Sequence, residues 1–135
     1  HAVANSFIEM CRLCDFDLTI ANPIGYNLDK KITDGYKIVN KQIDAFKNAD
    51  FIYAKNWSCF DDYGKVNIKD NSWTIDDNKM SLTNKAYFMH CLPVRRNMIV
   101  TDSVLESNSN ISIKQASNRV HATQFIINEL LKNEN

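Results

Sequence analysis

The sequence predicts an α/β fold in which a parallel sheet is flanked by helices. Three observations carry this. Short runs rich in aromatic and β-branched residues recur at Phe16-Asp17-Leu18-Thr19-Ile20, Asp50-Phe51-Ile52-Tyr53-Ala54, Ala86-Tyr87-Phe88-Met89 and Ile111-Ser112-Ile113. Stretches of helical period lie between them. The intervals are longer than hairpin turns, and strands joined by helical crossovers run parallel.

Each element has its own signal. From Ala2 to about Cys14 the chain reads as a helix, because Val3, Phe7, Met10 and Cys14 step by 4, 3 and 4 and place Cys14 on a buried stripe. Asn22-Pro23-Ile24-Gly25 then breaks the first strand. Val39, Ile43 and Phe46 step by 4 and 3 and predict a second helix ahead of the Asp50 to Ala54 strand. Residues 56–73 lack a sustained period and read as a long loop, a kind of segment that often carries function. Within it Trp57 and Trp73 read as packing aromatics, and Asp61 and Asp62 as solvated charges. Asp76 is the expected N-cap of a short helix with Met80 on its inner side. Thr101 to Glu106 predicts another capped turn or two. The closing helix has the clearest stripe, with Ala116, Val120, Thr123, Ile127 and Leu130 repeating at 4, 3, 4 and 3.

Composition narrows the function. The 135 residues carry 16 Lys+Arg against 16 Asp+Glu, a formal charge of zero, which excludes a nucleic-acid clamp working by bulk charge. Apolar residues at 44% and charged residues at 24% are ordinary globular usage, enough for one domain. No apolar run reaches the ~18 residues of a membrane span, so no membrane partner is expected. The start at His1 shows no signal-peptide pattern and suggests a fragment. A cytoplasmic setting is the expectation.

With 3 Gly in total there is no G-x-G-x-x-G and no P-loop, so no nucleotide cradle is visible. Cys11 and Cys14 form a C-x-x-C. Cys59 and Cys91 stand apart, without a second C-x-x-C or an H-x3-5-H to complete a zinc site. The thiols read as structural, with a redox or zinc role as the weaker alternative.

Ligands of parallel sheets bind beyond the carboxyl ends of the strands. Two segments stand there: Lys55-Asn56-Trp57, and His90-Cys91-Leu92-Pro93-Val94-Arg95-Arg96-Asn97. The second places an imidazole, a thiol, a turn-forming proline and two guanidiniums directly after an apolar strand. A guanidinium grips carboxylate or phosphate oxygens in bidentate fashion, and a neutral imidazole donates to a developing oxyanion. The plainer alternative keeps His90 as a core histidine and Arg95 and Arg96 as surface charges.

The run His90-Cys91-Leu92-Pro93 with Arg95-Arg96-Asn97, followed by Gln115-Ala116-Ser117-Asn118-Arg119-Val120-His121, resembles the C-terminal half of the aspartate/ornithine carbamoyltransferase family. The resemblance extends through Asp50 to Trp57 and Ala86 to Met89. Within the family it is nearest to the N-acylornithine carbamoyltransferases of arginine biosynthesis. It implies a Rossmann-like second domain, residues 1–135, that binds an acyl-ornithine. A separate N-terminal domain would supply most of the carbamoyl phosphate site. The S-T-R-T-R and H-P-x-Q motifs of that domain occur nowhere in the chain.

The implied reaction transfers a carbamoyl group from carbamoyl phosphate to the side-chain amine of the acyl-ornithine, with no cofactor and no metal. By match to the family pattern, His90 is the catalytic residue that polarises the carbamoyl oxygen. Cys91 and Leu92 hold the carbamoyl group through backbone, and Arg119 contacts carbamoyl phosphate. Lys55 and Arg95 anchor the carboxylates of the acyl-ornithine, and His121 reads as a residue of the helix face. The family's full-length enzymes imply a homotrimer, whereas a fragment by itself implies little turnover.

Two departures concern the substrate. The D-x-W-x-S-M-G loop of ornithine enzymes is replaced by Lys55-Asn56-Trp57-Ser58-Cys59-Phe60, whose Lys55 would repel a free α-amine. Acetyl-type enzymes carry a lysine where this chain has Ile99, and Arg95 through Asp102 reads as the succinyl-type R-R-N-M-I-V-T-D. N-succinylornithine is therefore expected over N-acetylornithine. The alternative is a non-catalytic, small-molecule-binding remnant of the same fold.

Overall fold

The computed structural model describes residues 2–57 and 71–133. The first helix, α1 (Ala2–Leu13), stops where Asp15 turns left-handed at φ +55°, with Phe16 N–H donating to Cys11 O at 3.0 Å. Its inward face is not the predicted one. Ile8 and Cys11 are buried, while Cys14, Val3 and Met10 are exposed. Only one flank of the apolar stripe is covered, and Phe7 marks its edge by packing on Tyr53 with ring centroids 4.4 Å apart.

Among the described residues, four short strands follow in two parallel pairs. β1 (Thr19–Ala21) pairs with β2 (Lys37–Val39), and β3 (Phe51–Ala54) with β4 (Tyr87–His90). Between them lie α2 (Lys30–Thr33), started by the Asp29 carboxylate accepting from Lys31 N–H at 2.9 Å, and α3 (Gln42–Phe46). Val39, predicted helical, instead pairs with Ala21 at the end of β2. A three-residue strand with two exposed positions offers too little alternation to show in sequence. The strand predicted at Ile111 to Ile113 is also corrected. Phe88 N–H donates to Ser109 O at 2.8 Å and Ile111 N–H to Phe88 O at 2.9 Å, so the chain runs beside β4 only as far as Ile111 before α6 (Ser112–Lys132) begins.

The core sits on the β3–β4 pair. Ile52 and Ala54 of β3 and Phe88 of β4 face Phe46, Ile75, Ala86, Ile99, Val100 and Val104. Strand alternation puts every second residue on that face, so His90, two positions after Phe88, continues the inward row and is 1% exposed.

On the core side, α4 (Asp77–Met80) is capped by Asp76, whose carboxylate accepts from Lys79 N–H at 2.9 Å, and Met80 packs against the core. α5 (Asp102–Leu105) follows Thr101, whose hydroxyl makes no cap; Asn97 Oδ1 instead accepts from Asp102 N–H at 3.0 Å. Trp73 is buried and meets Trp57 edge-on, with Tyr26 beyond it at 5.6 Å from Trp57. Asp61, Asp62 and Cys59 lie outside the described residues.

The closing helix forms where the stripe from Ala116 to Leu130 predicts one, but the stripe is not buried. Val120, Ile127 and Leu130 are 57%, 50% and 62% exposed, because among the described residues no element covers that stripe. No helix among the described residues is long and apolar enough to cross a membrane.

Candidate functional site

The parallel register places the two chemistry-bearing segments side by side. Ala54 pairs with His90, so Lys55 and Cys91 leave the same edge of the sheet together. Asn56 Nδ2 then donates to Pro93 O at 2.8 Å and ties the two segments directly.

Beyond β4 the backbone folds sharply over its own histidine. Leu92 adopts φ +40°, a left-handed conformation unusual for a residue with a Cβ, and the Leu92–Pro93 peptide is cis. In this conformation Leu92 N–H donates to His90 Nδ1 at 2.9 Å. An Nδ1 that accepts carries no proton, so the neutral ring bears its hydrogen on Nε2. Burial, and secondarily the charge of Lys55, push the His90 pKa down to about 4. Near neutral pH the ring is therefore an uncharged donor, and its buried Nε2 has no partner among the described residues.

His90 opens on a cleft of about 410 Å³ lined also by Cys91, Leu92, Gln115, Ala116 and Arg119. Arg119 reaches it from α6, one turn beyond Gln115, since residues four apart share a helix face. The cleft thus combines a neutral N–H donor, a guanidinium and the strained Leu92 backbone. That set suits a small ligand with a polarisable carbonyl and an anionic end.

Of the residues singled out in sequence, His90, Cys91, Leu92 and Arg119 meet in this cleft. Lys55 stands half-buried at its edge, close enough to act on His90, with Nζ donating to Asn56 O at 3.2 Å. Arg95 is exposed on the loop beyond Pro93 and does not line the cleft. Its neighbour Arg96 is committed elsewhere, to Asp102 and Glu106 at 2.6 Å each. Those bonds raise the Arg96 pKa, and the Asn97 amide together with Arg96 holds the Asp102 carboxyl below its usual range. His121 is exposed on α6, and Ile99 is buried in the core at 4% exposure, so Ile99 bears on acyl choice by no direct contact through the described residues. Two residues escaped the sequence reading. Asn56 bridges the segments and Gln115 lines the cleft, and the only signal for either was its place inside a motif.

A second, more open hollow lies between α1 and β2, lined by Cys11, Arg12, Asp34 and Tyr36 among others. Arg12 fills part of it, donating to Ile32 O and Asp34 O at 3.0 and 3.1 Å and lying over the Tyr36 ring. The described residues hold no cluster of three or more metal-ligating side chains.

Residues 1–129 match the family model for the Asp/Orn binding domain of aspartate/ornithine carbamoyltransferase. The chain is 48% identical over 135 residues to the N-succinylornithine carbamoyltransferase of Bacteroides fragilis, covering 98% of this chain and 42% of that enzyme. It is 35% identical over 144 residues to the N-acetylornithine carbamoyltransferase of Xylella fastidiosa, covering 93% of this chain and 43% of that enzyme. Among solved structures, acetylornithine transcarbamylase complexed with acetylcitrulline superimposes with a TM-score of 0.80 at 30% identity, over 92% of this chain and 42% of that one. A variant N-acetyl-L-ornithine transcarbamylase complexed with carbamyl phosphate and N-succinyl-L-norvaline gives 0.81 at 32%, over 92% of this chain and 43% of that one. The chain spans less than half the length of these relatives.

Proposed function

The chain belongs to the aspartate/ornithine carbamoyltransferase family as its Asp/Orn binding domain, and from that premise we propose that it serves the carbamoylation of an N-acylated ornithine. The side-chain amine attacks the carbonyl carbon of carbamoyl phosphate. A new N–C bond forms, the C–O bond to phosphate breaks, and the amine proton leaves with the phosphate or solvent. His90 Nε2–H polarises the carbonyl oxygen, Arg119 holds the phosphate, and the Cys91–Leu92 backbone fixes the carbamoyl group. Lys55, beside His90, and Arg95, from the exposed loop beyond Pro93, bind the acyl-ornithine carboxylates.

The observation that carries this reading is the neutral His90, held by Leu92 N–H, with an Nε2 that has no partner among the described residues in the cleft it shares with Arg119. Orientation and one such donor supply rate without a cofactor, and losing an oxyanion donor typically costs about 10² to 10³ in kcat. The greater identity to the succinyl-type relative than to the acetyl-type one favours N-succinylornithine.

A carbamoyl phosphate domain is proposed to cover the exposed apolar stripe of α6, within a cytoplasmic homotrimer. Calorimetry with N-succinyl- and N-acetylornithine, with and without that domain, tests the reading. Binding of the succinyl compound, and turnover only when both domains are present, is expected. Absence of binding with both present would favour a remnant without catalysis.

A further inference from the structure

Gln115 lines the same cleft as His90 and Arg119 and has no role in the chemistry described so far. It sits in the first turn of α6, its backbone N–H donating to Ile111 O at 2.8 Å, which fixes the side chain's point of departure. Gln115 also acts on the Tyr53 hydroxyl, drawing its pKa down against the larger upward push of burial, as an amide donor does. The carbonyl oxygen of the side chain, Oε1, is buried and without a partner among the described residues. A buried acceptor left unsatisfied is costly, and its proper complement is an N–H donor.

The cleft already offers a donor in His90 Nε2–H and a cation in Arg119. Gln115 Oε1 adds an acceptor. Carbamoyl phosphate presents the three complementary groups: a carbonyl oxygen, a phosphate and an amide NH2. Resting on the carbamoyl phosphate reading of this cleft, we infer that Gln115 is a substrate-binding residue whose Oε1 accepts a hydrogen bond from the carbamoyl NH2. It is the group that separates carbamoyl phosphate from acyl phosphates of the same shape. A site built to hydrogen-bond an N–H rejects the analogue that lacks it, because the acceptor is then buried unpaired.

Acetyl phosphate supplies the comparison, since a methyl group replaces the NH2 and the rest of the molecule is retained. Affinities for the two phosphates are measured on the full-length polypeptide, for the wild type, Gln115→Met and Gln115→Glu. The wild type is expected to prefer carbamoyl phosphate by about tenfold or more. Gln115→Met, similar in size but without the oxygen, is expected to bring the two affinities within about threefold by weakening carbamoyl phosphate alone. Gln115→Glu keeps an acceptor; its charge weakens both phosphates together, so the preference should survive. This second variant also decides the matter should Gln115→Met fail to fold, because an abolished preference in Gln115→Glu would contradict the assignment. If carbamoyl phosphate binds and the preference is unchanged in Gln115→Met, Gln115 does not read the NH2 and the inference is overturned. If the wild type binds neither phosphate, the reading of the cleft falls first and this inference with it.

Discussion

The backbone N–H of Leu92 donates to Nδ1 of His90 at 2.9 Å, so the residue two places after the histidine fixes which ring nitrogen carries the proton. A left-handed Leu92 makes this possible. The strained residue and the functional residue are thus one unit, as is common where geometry serves a site.

With its pKa pushed down to about 4, His90 binds fewer protons in the folded chain than in the unfolded one, where the ordinary value near 6.5 applies. The contribution to stability is complete above pH 6.5 and is lost as pH falls toward 4, by roughly 3 kcal/mol at most. Imidazole nitrogen NMR is expected to show an Nε2–H tautomer that persists through pH 5. A ring that titrates near 6.5 would remove both the burial argument and the donor.

Much of this arrangement was legible in sequence. Asp50 to Ala54 and Ala86 to Met89 are dense in aromatic and apolar residues and appear as β3 and β4 almost in place. The Asp76 cap was visible because a carboxylate two residues ahead of Asn78-Lys79-Met80 has few other local uses. What could not be read was which flank of an apolar stripe is covered. Cys14 and Cys11 both fit the α1 pattern, and only packing decided for Cys11. The same limit applies to α6, where period gave the helix but the covering surface lies outside the described residues. Motif spelling likewise brought His90 and Arg119 together and assigned Arg95 rather than Arg96 to the substrate, but the carboxylates of Asp102 and Glu106 that claim Arg96 left no signal in the motif.

Arg96 and Arg119 should therefore respond differently to truncation. Arg119→Ala in the full-length protein is expected to weaken carbamoyl phosphate binding by about tenfold or more, as loss of a charge-assisted contact does. Arg96→Ala, which removes exposed pairs to Asp102 and Glu106, should leave that affinity within about twofold and change stability little. Equal losses in phosphate affinity from both would contradict the placement of Arg119 in the cleft.

Lys79 is a structural clasp. Its ammonium donates to Gln42 Oε1 at 2.6 Å, to Thr74 O at 2.7 Å and to Ser72 O, while Gln42 Nε2 donates to Trp73 O at 3.0 Å. Lys79→Met leaves those acceptors short of a donor and is expected to cost about 1 to 3 kcal/mol in chemical denaturation. Tryptophan emission should shift as well, because Trp73 packs edge-on against Trp57 with centroids 5.9 Å apart. Wild-type stability with unchanged emission would show that the clasp is dispensable.

Ile127 and Leu130 occupy the apolar stripe of α6 and are 50% and 62% exposed. Among the described residues they lack cover, so Ile127→Lys with Leu130→Lys removes little burial. The thermal unfolding midpoint of the chain should change by an amount equivalent to about 0.5 kcal/mol or less. If a carbamoyl phosphate domain covers this stripe, the same pair of lysines forces two charges into an apolar interface, at a cost far larger than anything they do to the chain alone. Co-elution of the two domains in size-exclusion chromatography is then expected for the wild type and lost for the double variant. Retained co-elution would place the domain contact on another face, whereas a large fall in the isolated chain's midpoint would mean that α6 buries this stripe against its own fold.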